Sequence, residues 1–133
     1  MAEARFLSPL DARFLPEWDD WRQLIVLLAP LRYYSALADR EIVVPAGFVC
    51  DRESRPTSGP VTGPEVNEAG VLHDYLYRSH ELPRALADSV YQEALLAMGL
   101  HPVWADQRYR MVDCYGGRAY ETGPSRCRII RLT

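Results

Sequence analysis

The sequence predicts an α+β fold: a small antiparallel sheet packed against a three-helix bundle. Three observations predict it. Short runs rich in β-branched and aromatic residues, separated by turn residues, fill residues 22–50. From residue 68 to residue 115 the apolar residues recur at helical spacing instead. Between these regions, residues 51–67 are rich in Pro, Gly and hydroxyl residues and suit neither period. Strands first and helices afterwards is an α+β order.

Residues 1–21 read as an N-terminal arm, with Phe6, Leu7, Phe14 and Leu15 set among prolines, carrying a short strand or turn. Arg22–Leu28 reads as the first strand of the sheet and Leu31–Leu37 as the second. Ala38-Asp39-Arg40 is a turn, Glu41–Val44 a third strand, and Pro45-Ala46-Gly47 a break before Phe48-Val49. Tight connections of this kind predict an antiparallel meander over residues 22–50. The loop at 51–67 is longer than a connector needs, and long loops in compact domains are often functional.

Three helices follow. The first spans Glu68–His80. The second spans Pro83–Met98, with Pro83 suited to N1 and Gly99 to the C-terminal stop. The third spans Pro102–Tyr115 and is closed by Gly116-Gly117; its stripe of Trp104, Arg108, Met111, Val112 and Tyr115 is expected in the core. Residues 116–133 form a tail in which Cys127–Leu132 can return as a strand.

At 133 residues the chain is long enough to bury a core as one domain, 1–133. Its 48% hydrophobic and 25% charged residues are ordinary for a globular protein. No apolar run approaches the roughly 20 residues of a membrane span, so no transmembrane segment is expected. A net charge of −3 argues against nucleic acid as a partner, which calls for a basic face. All 15 basic residues are Arg, which excludes Schiff-base and Lys general-base chemistry. Cys50, Cys114 and Cys127 form no CxxC pair, and the N-terminus shows no signal-peptide pattern. Reduced thiols and synthesis in the cytoplasm are the expectation.

The chemistry concentrates in His73-Asp74-Tyr75-Leu76-Tyr77 and in Asp88. His73 and Tyr77 share a helix face at i,i+4. The short link to the next helix makes the two helices antiparallel neighbours, so Asp88 points towards the first. His73 Nδ1–H bonded to Asp88 would fix the imidazole tautomer and leave Nε2 to take a proton from water. Asp74, on an adjacent face, suits a hard cation together with loop carbonyls. A His–Asp pair between packed helices can equally be a means of satisfying buried polar groups. His80 reads as a solvated helix end.

Asp51 follows a strand: it joins Asp74 and Asp88 around a metal, orients His73, or caps a turn with Ser54. Cys50 permits a Cys50–His73–Asp88 nucleophilic triad, although a buried small hydrophobe is the reading favoured for it. A metal-dependent phosphohydrolase needs a His upstream of His73, and there is none; HExxH and P-loop signatures are also absent.

His73, Asp74 and Tyr77 on one helix, with Ala87, Asp88 and Tyr91 on the next, resemble the catalytic helices of secreted phospholipases A2. The resemblance covers residues 73–91 and implies His73 as base, Asp88 as its partner, Tyr77 as a brace and Asp74 as a calcium ligand. The chain departs from that family in lacking disulfide cysteines on the helices and a recognisable glycine-rich calcium loop, and in a shorter His-to-Asp spacing. A wider pattern joins Val44-Pro45-Ala46-Gly47-Phe48-Val49-Cys50-Asp51, Ser54 and Pro56 to Val71–Tyr77, Ala87-Asp88, Trp104-Ala105 and Gly116-Gly117. It resembles a small phage- and prophage-associated family of unknown function and implies a phage setting. Cys50 departs from that pattern, where Thr is more usual.

Two functions are expected from these residues. The first is a phage- or prophage-encoded His/Asp hydrolase of lipid or cell-envelope bonds, assisted by Ca2+ or another divalent cation. The alternative is a structural or accessory tail or virion protein, partnered by other phage proteins or by itself, in which the cluster only stabilises the fold. Either would be made in the host cytoplasm, with association to the virion as the further expectation.

Overall fold

The computed structural model describes residues 2–19, 22–52, 64–122 and 127–132. It has α+β architecture, with two antiparallel sheets and four helices among the described residues. The strands are β1 (Arg5–Phe6), β2 (Ala12–Asp19), β3 (Arg22–Leu27), β4 (Leu31–Ser35), β5 (Arg40–Val44), β6 (Phe48–Cys50) and β7 (Arg128–Ile129). The helices are α1 (Asn67–Ser79), α2 (Arg84–Ala97), α3 (Pro102–Tyr115) and α4 (Gly117–Thr122). None of the described helices is long and apolar enough to cross a membrane.

The expected meander is replaced by two sheets, ordered β1-β4-β5 and β2-β3-β6-β7. The reason lies in β3. Leu24, Ile25, Val26 and Leu27 are all buried, so the strand is covered on both faces, and β2 and β6 occupy its two edges. With no edge left for β4, the chain leaves this sheet at residues 28–30 and starts the other.

The N-terminal arm is more ordered than expected: it holds β1 and the eight-residue β2. Pro16 does not break β2, because it lies in the irregularity between Phe14 and Trp18 on an edge strand, where a missing N–H costs no ladder bond.

The four-stranded sheet is drawn together at its outer strands. Arg128 on β7 donates to both carboxylate oxygens of Glu17 on β2, at 2.9 and 3.1 Å. A small second core of Leu24, Val26 and Val49, with Leu15 and Ile130 against it, occupies one side of this sheet. The larger core joins the other side to the helices through Ile25, Phe48, Leu72, Leu76, Val90 and Leu95. Gly47 makes the junction with β7: its φ is 87°, and a Cβ there would stand 2.1 Å from Ile130 O.

The helices begin and end close to the expected places. Pro83 is the N-cap of α2 rather than its first helical residue. At its other end Gly99 N–H donates to Leu96 O and Leu100 N–H to Leu95 O, at 3.0 and 3.1 Å, with Gly99 at φ 88°. That is a Schellman stop, which places Leu100 against the core. On α3 the expected stripe is only partly buried. Arg108 is buried, as is Ala105 beside it, Trp104 and Val112 lean on the core, and the Tyr115 side chain lies outside the description. Gly116-Gly117 does not end the helical region: α4 follows and packs on α1 and α3.

α2 is tied to the three-stranded sheet by one carboxylate. Glu93 accepts from Tyr33 Oη at 2.8 Å and Ser35 Oγ at 2.9 Å, and from Leu37 N–H at 2.9 Å. Tyr33 and Ser35 are fully buried, so Glu93 satisfies two hydroxyls that would otherwise be costly there.

Candidate functional site: a histidine and a tyrosine on one buried carboxylate

α1 and α2 lie side by side, joined through residues 80–83, and present His73, Tyr77 and Asp88 to one another. His80 ends α1 in the left-handed conformation, φ 56°. It is not simply solvated: its Nε2 donates to Tyr120 O on α4, and its ring stacks on the Tyr120 ring at 4.1 Å. This reverses the chain tightly enough for Asp88, one turn into α2, to sit against α1.

Asp88 is wholly inaccessible to solvent. Its Oδ1 accepts from Tyr77 Oη at 2.6 Å and contacts His73 Nε2 at 3.0 Å. The Tyr77 phenol is pushed well above its ordinary value, by burial first and by its bond to the carboxylate second. It therefore stays a neutral donor. With Oδ1 an acceptor for both groups, His73 carries its proton on Nε2.

This corrects the expected orientation, in which Nδ1–H met Asp88. Helices pack about 8–10 Å apart, and Asp is a short side chain. The far ring nitrogen of His73 reaches Asp88; the near one does not. Nδ1 is left with the lone pair, and no described residue hydrogen-bonds to it. The His73 side chain is 10% exposed, so the imidazole is nearly but not fully enclosed. Its ring is held between Tyr77 at 4.1 Å and Tyr91 at 4.6 Å, both tilted.

Three further groups shape the cluster. Arg84 Nε lies 3.8 Å from Asp88 Oδ2, which accepts no hydrogen bond, so the pair is held by charge alone. Arg84 also donates to Val112 O at 2.9 Å and Asp113 O at 2.6 Å, anchoring the start of α2 to the end of α3. The Tyr77 phenol, first among its neighbours, raises the guanidinium above its ordinary value. Gly116 makes room for the Tyr77 hydroxyl: a Cβ there would stand 2.5 Å from Tyr77 Oη and 2.5 Å from Val112 O. The Tyr120 ring meets Tyr77 edge-on at 5.3 Å. Of these, Arg84 was visible in the sequence only as an i,i+4 partner of Asp88, and Gly116 only as a helix end.

The other candidates fall elsewhere. Asp74 and Asp51 are buried near Cys50 and Cys127, where both carboxylates act on the two thiols. Asp88 contacts His73, Tyr77 and Arg84 and is not grouped with Asp74 and Asp51 around a metal. Among the described residues no group of three or more His, Cys, Asp or Glu is placed to hold a metal ion. Two carboxylates fall short of the six to eight oxygens, roughly, that calcium takes. Among the described residues, Asp74 and Asp51 alone do not complete a site for the expected cation. Cys50 is fully buried, and burial together with Asp74 pushes its thiol well up, which favours a packed thiol over a nucleophile. Ser54, with Pro56 and most of the 51–67 loop, lies outside the described residues.

A protein-family model described as "Protein of unknown function (DUF1353)" matches residues 25–112. That segment runs from β3 to most of α3 and holds His73, Tyr77, Arg84 and Asp88. Comparison with curated proteins and with solved structures found no match.

Proposed function

The chain belongs to the DUF1353 family of proteins of unknown function, and we propose that His73 is the general base of a hydrolase, oriented by Asp88. The observation that carries this reading is the division of labour on the imidazole. Nε2 is committed to a buried carboxylate at 3.0 Å, and Nδ1 keeps its lone pair. A water bonded to Nδ1 would pass its proton there as its oxygen attacks a carbonyl carbon. Asp88 would stabilise the imidazolium so formed, and Tyr77 would hold the carboxylate in place. The imidazolium would return the proton to the leaving oxygen or nitrogen, giving an acid and an alcohol or amine.

The substrate class is an ester or amide of lipid or cell envelope. Its support is the resemblance of the His73–Tyr77 and Ala87–Tyr91 segments to phospholipase A2 helices. The phage or prophage setting rests on the Val44–Asp51 and Val71–Tyr77 pattern. The divalent cation that the resemblance implies would be held by Asp74 and Asp51 with main-chain oxygens.

The test uses the full chain against two probes: vesicles of phosphatidylglycerol and phosphatidylethanolamine, with and without calcium, and isolated peptidoglycan. Release of fatty acid or of new amine ends is the expected result. No turnover of either probe under any of these conditions would count against the hydrolase.

A second reading is favoured by one observation. Asp88 is completely buried, and His73 is packed between two tyrosine rings, as in a clasp that holds α1 to α2 in a structural virion or tail protein. That reading expects a His73 variant to lose stability in proportion to any loss of function.

A further inference from the structure

The antiparallel register of β6 and β7 pairs Phe48 with Ile129 and Val49 with Arg128. Extended by one step beyond β7, the same register would set Cys50 opposite Cys127. The bond from Ile130 N–H to Gly47 O, 2.8 Å, marks Gly47 and Ile130 as a hydrogen-bonded position of the ladder. Alternation then makes Cys50 and Cys127 a non-hydrogen-bonded pair, the kind whose side chains approach most closely. Cα atoms in such pairs are about 4.5 Å apart, within the roughly 4.4–6.8 Å that a disulfide spans. Both cysteines belong to the larger core, so both side chains lie on the helix-facing side of the sheet. They are electrostatic neighbours as well: the Cys127 thiol is pushed up by burial, by Asp74 and then by Cys50. Cys114 is exposed on α3 and has no place in the pair.

We propose that Cys50 and Cys127 are a cross-strand dithiol site that small-molecule disulfides oxidise to an intramolecular disulfide, fastening β7 to β6 beneath α1. Cys127 is 8% exposed and Cys50 is fully covered, which sets the order of events. The Cys127 thiolate attacks one sulfur of the oxidant, forming a mixed disulfide and releasing one thiolate. Cys50 loses its proton and attacks the Cys127 sulfur, releasing the second. The protein loses two protons and two electrons, and the oxidant becomes two thiols.

Burial shields both sulfurs from an oxidant in solution while the chain is folded, so the reaction is slow in the folded protein. The pair therefore persists in whichever state the surroundings impose during folding. The bond ties the C-terminal strand, which also carries the Arg128–Glu17 closure, to the centre of the fold. It is independent of the hydrolase reading, since neither sulfur takes part in the His73 cluster.

The test uses full-length Cys114→Ser protein in two samples, one exposed while folded to excess hydroxyethyl disulfide and one refolded in it. After acid quenching, alkylation and digestion, a peptide pair joining Cys50 to Cys127 is expected in the refolded sample, and more slowly in the folded one. The oxidised protein is expected to unfold at a temperature higher by on the order of 10 °C, reversed by dithiothreitol. Cys127→Ser on the same background is expected to show neither change. Two alkylated cysteines in the refolded sample would overturn the proposal, as would a lasting mixed disulfide on Cys127 with Cys50 still free, or a disulfide that lowers the unfolding temperature.

Discussion

Tyr77 Oη donates to Asp88 Oδ1 at 2.6 Å, on the same oxygen that His73 Nε2 reaches at 3.0 Å. Two donors from α1 thus converge on one carboxylate oxygen from α2. The second oxygen is left to Arg84, 3.8 Å away. Charge, tautomer and ring orientation are all set by this one buried carboxylate.

Asp88→Asn preserves shape but removes the charge and offers an N–H where His73 and Tyr77 need an acceptor. Hydrolysis is expected to fall by roughly 10²–10⁴-fold, and stability by about 1–3 kcal/mol, because a buried donor loses its partner. Tyr77→Phe is expected to cost less in both, since His73 keeps its bond. Steady-state kinetics and urea unfolding on the same preparations check the ranking.

Gly116→Ala is expected to displace the Tyr77 hydroxyl. Its Cβ would lie 2.5 Å from both Tyr77 Oη and Val112 O, and the latter is backbone that cannot move aside alone. A loss of about 1–3 kcal/mol follows from overpacking of this kind. Gly117→Ala meets only the end of the Arg84 side chain, at 3.4 Å, and is expected to be nearly neutral. Thermal unfolding of the two variants side by side tests the distinction; equal effects would contradict it.

Gly47→Ala combines a φ of 87° with a Cβ 2.1 Å from Ile130 O. The expected outcome is detachment of β7, with a cost of about 2 kcal/mol or more from strain and overpacking together. Faster amide exchange of Val49 and Ile130, beyond that of β3, would report it.

Alkaline pH is expected to destabilise the fold. Burial, and then Glu93, raises the Tyr33 phenol far above its ordinary value near 10; burial and Asp88 do the same for Tyr77. The folded chain keeps these phenols neutral where the unfolded chain ionises them. Their stabilisation is complete below about pH 10 and is lost as pH rises beyond it. Unfolding temperatures between pH 8 and 11.5 are expected to drop at the upper end, and Tyr33→Phe to drop less steeply. Ultraviolet titration of the folded protein in this range is expected to count fewer than the eight tyrosines of the sequence.

The helix pair was legible in the sequence because its signals are local. His73 and Tyr77 share a face at i,i+4, the link before α2 is short, and Gly99 ends α2 where the apolar spacing stops. The α+β class followed from the change of period. What was not legible depends on distant pairing. Nothing near β3 in the chain says that β2 and β6 claim both its edges, so one meander was expected where two sheets form. That Pro16 can stand within a strand is likewise a property of the sheet, since it needs an edge irregularity. The Glu93 clasp joins α2 to Tyr33 and Ser35 on β4, far back in the chain. The identity of the bonded His73 nitrogen depends on the separation of two helices, which residue spacing does not encode.

The central claim is that His73 acts through a free Nδ1 while Asp88 holds Nε2. The measurement that tests it most directly is the kcat/KM of His73→Gln for whichever probe the wild-type chain hydrolyses, read beside the unfolding temperature of the same sample. Gln offers an N–H to Asp88 but no base. The expected result is a loss of at least about 10²-fold in kcat/KM with an unfolding temperature within a few degrees of wild type. Retained hydrolysis in a folded His73→Gln protein would contradict the claim.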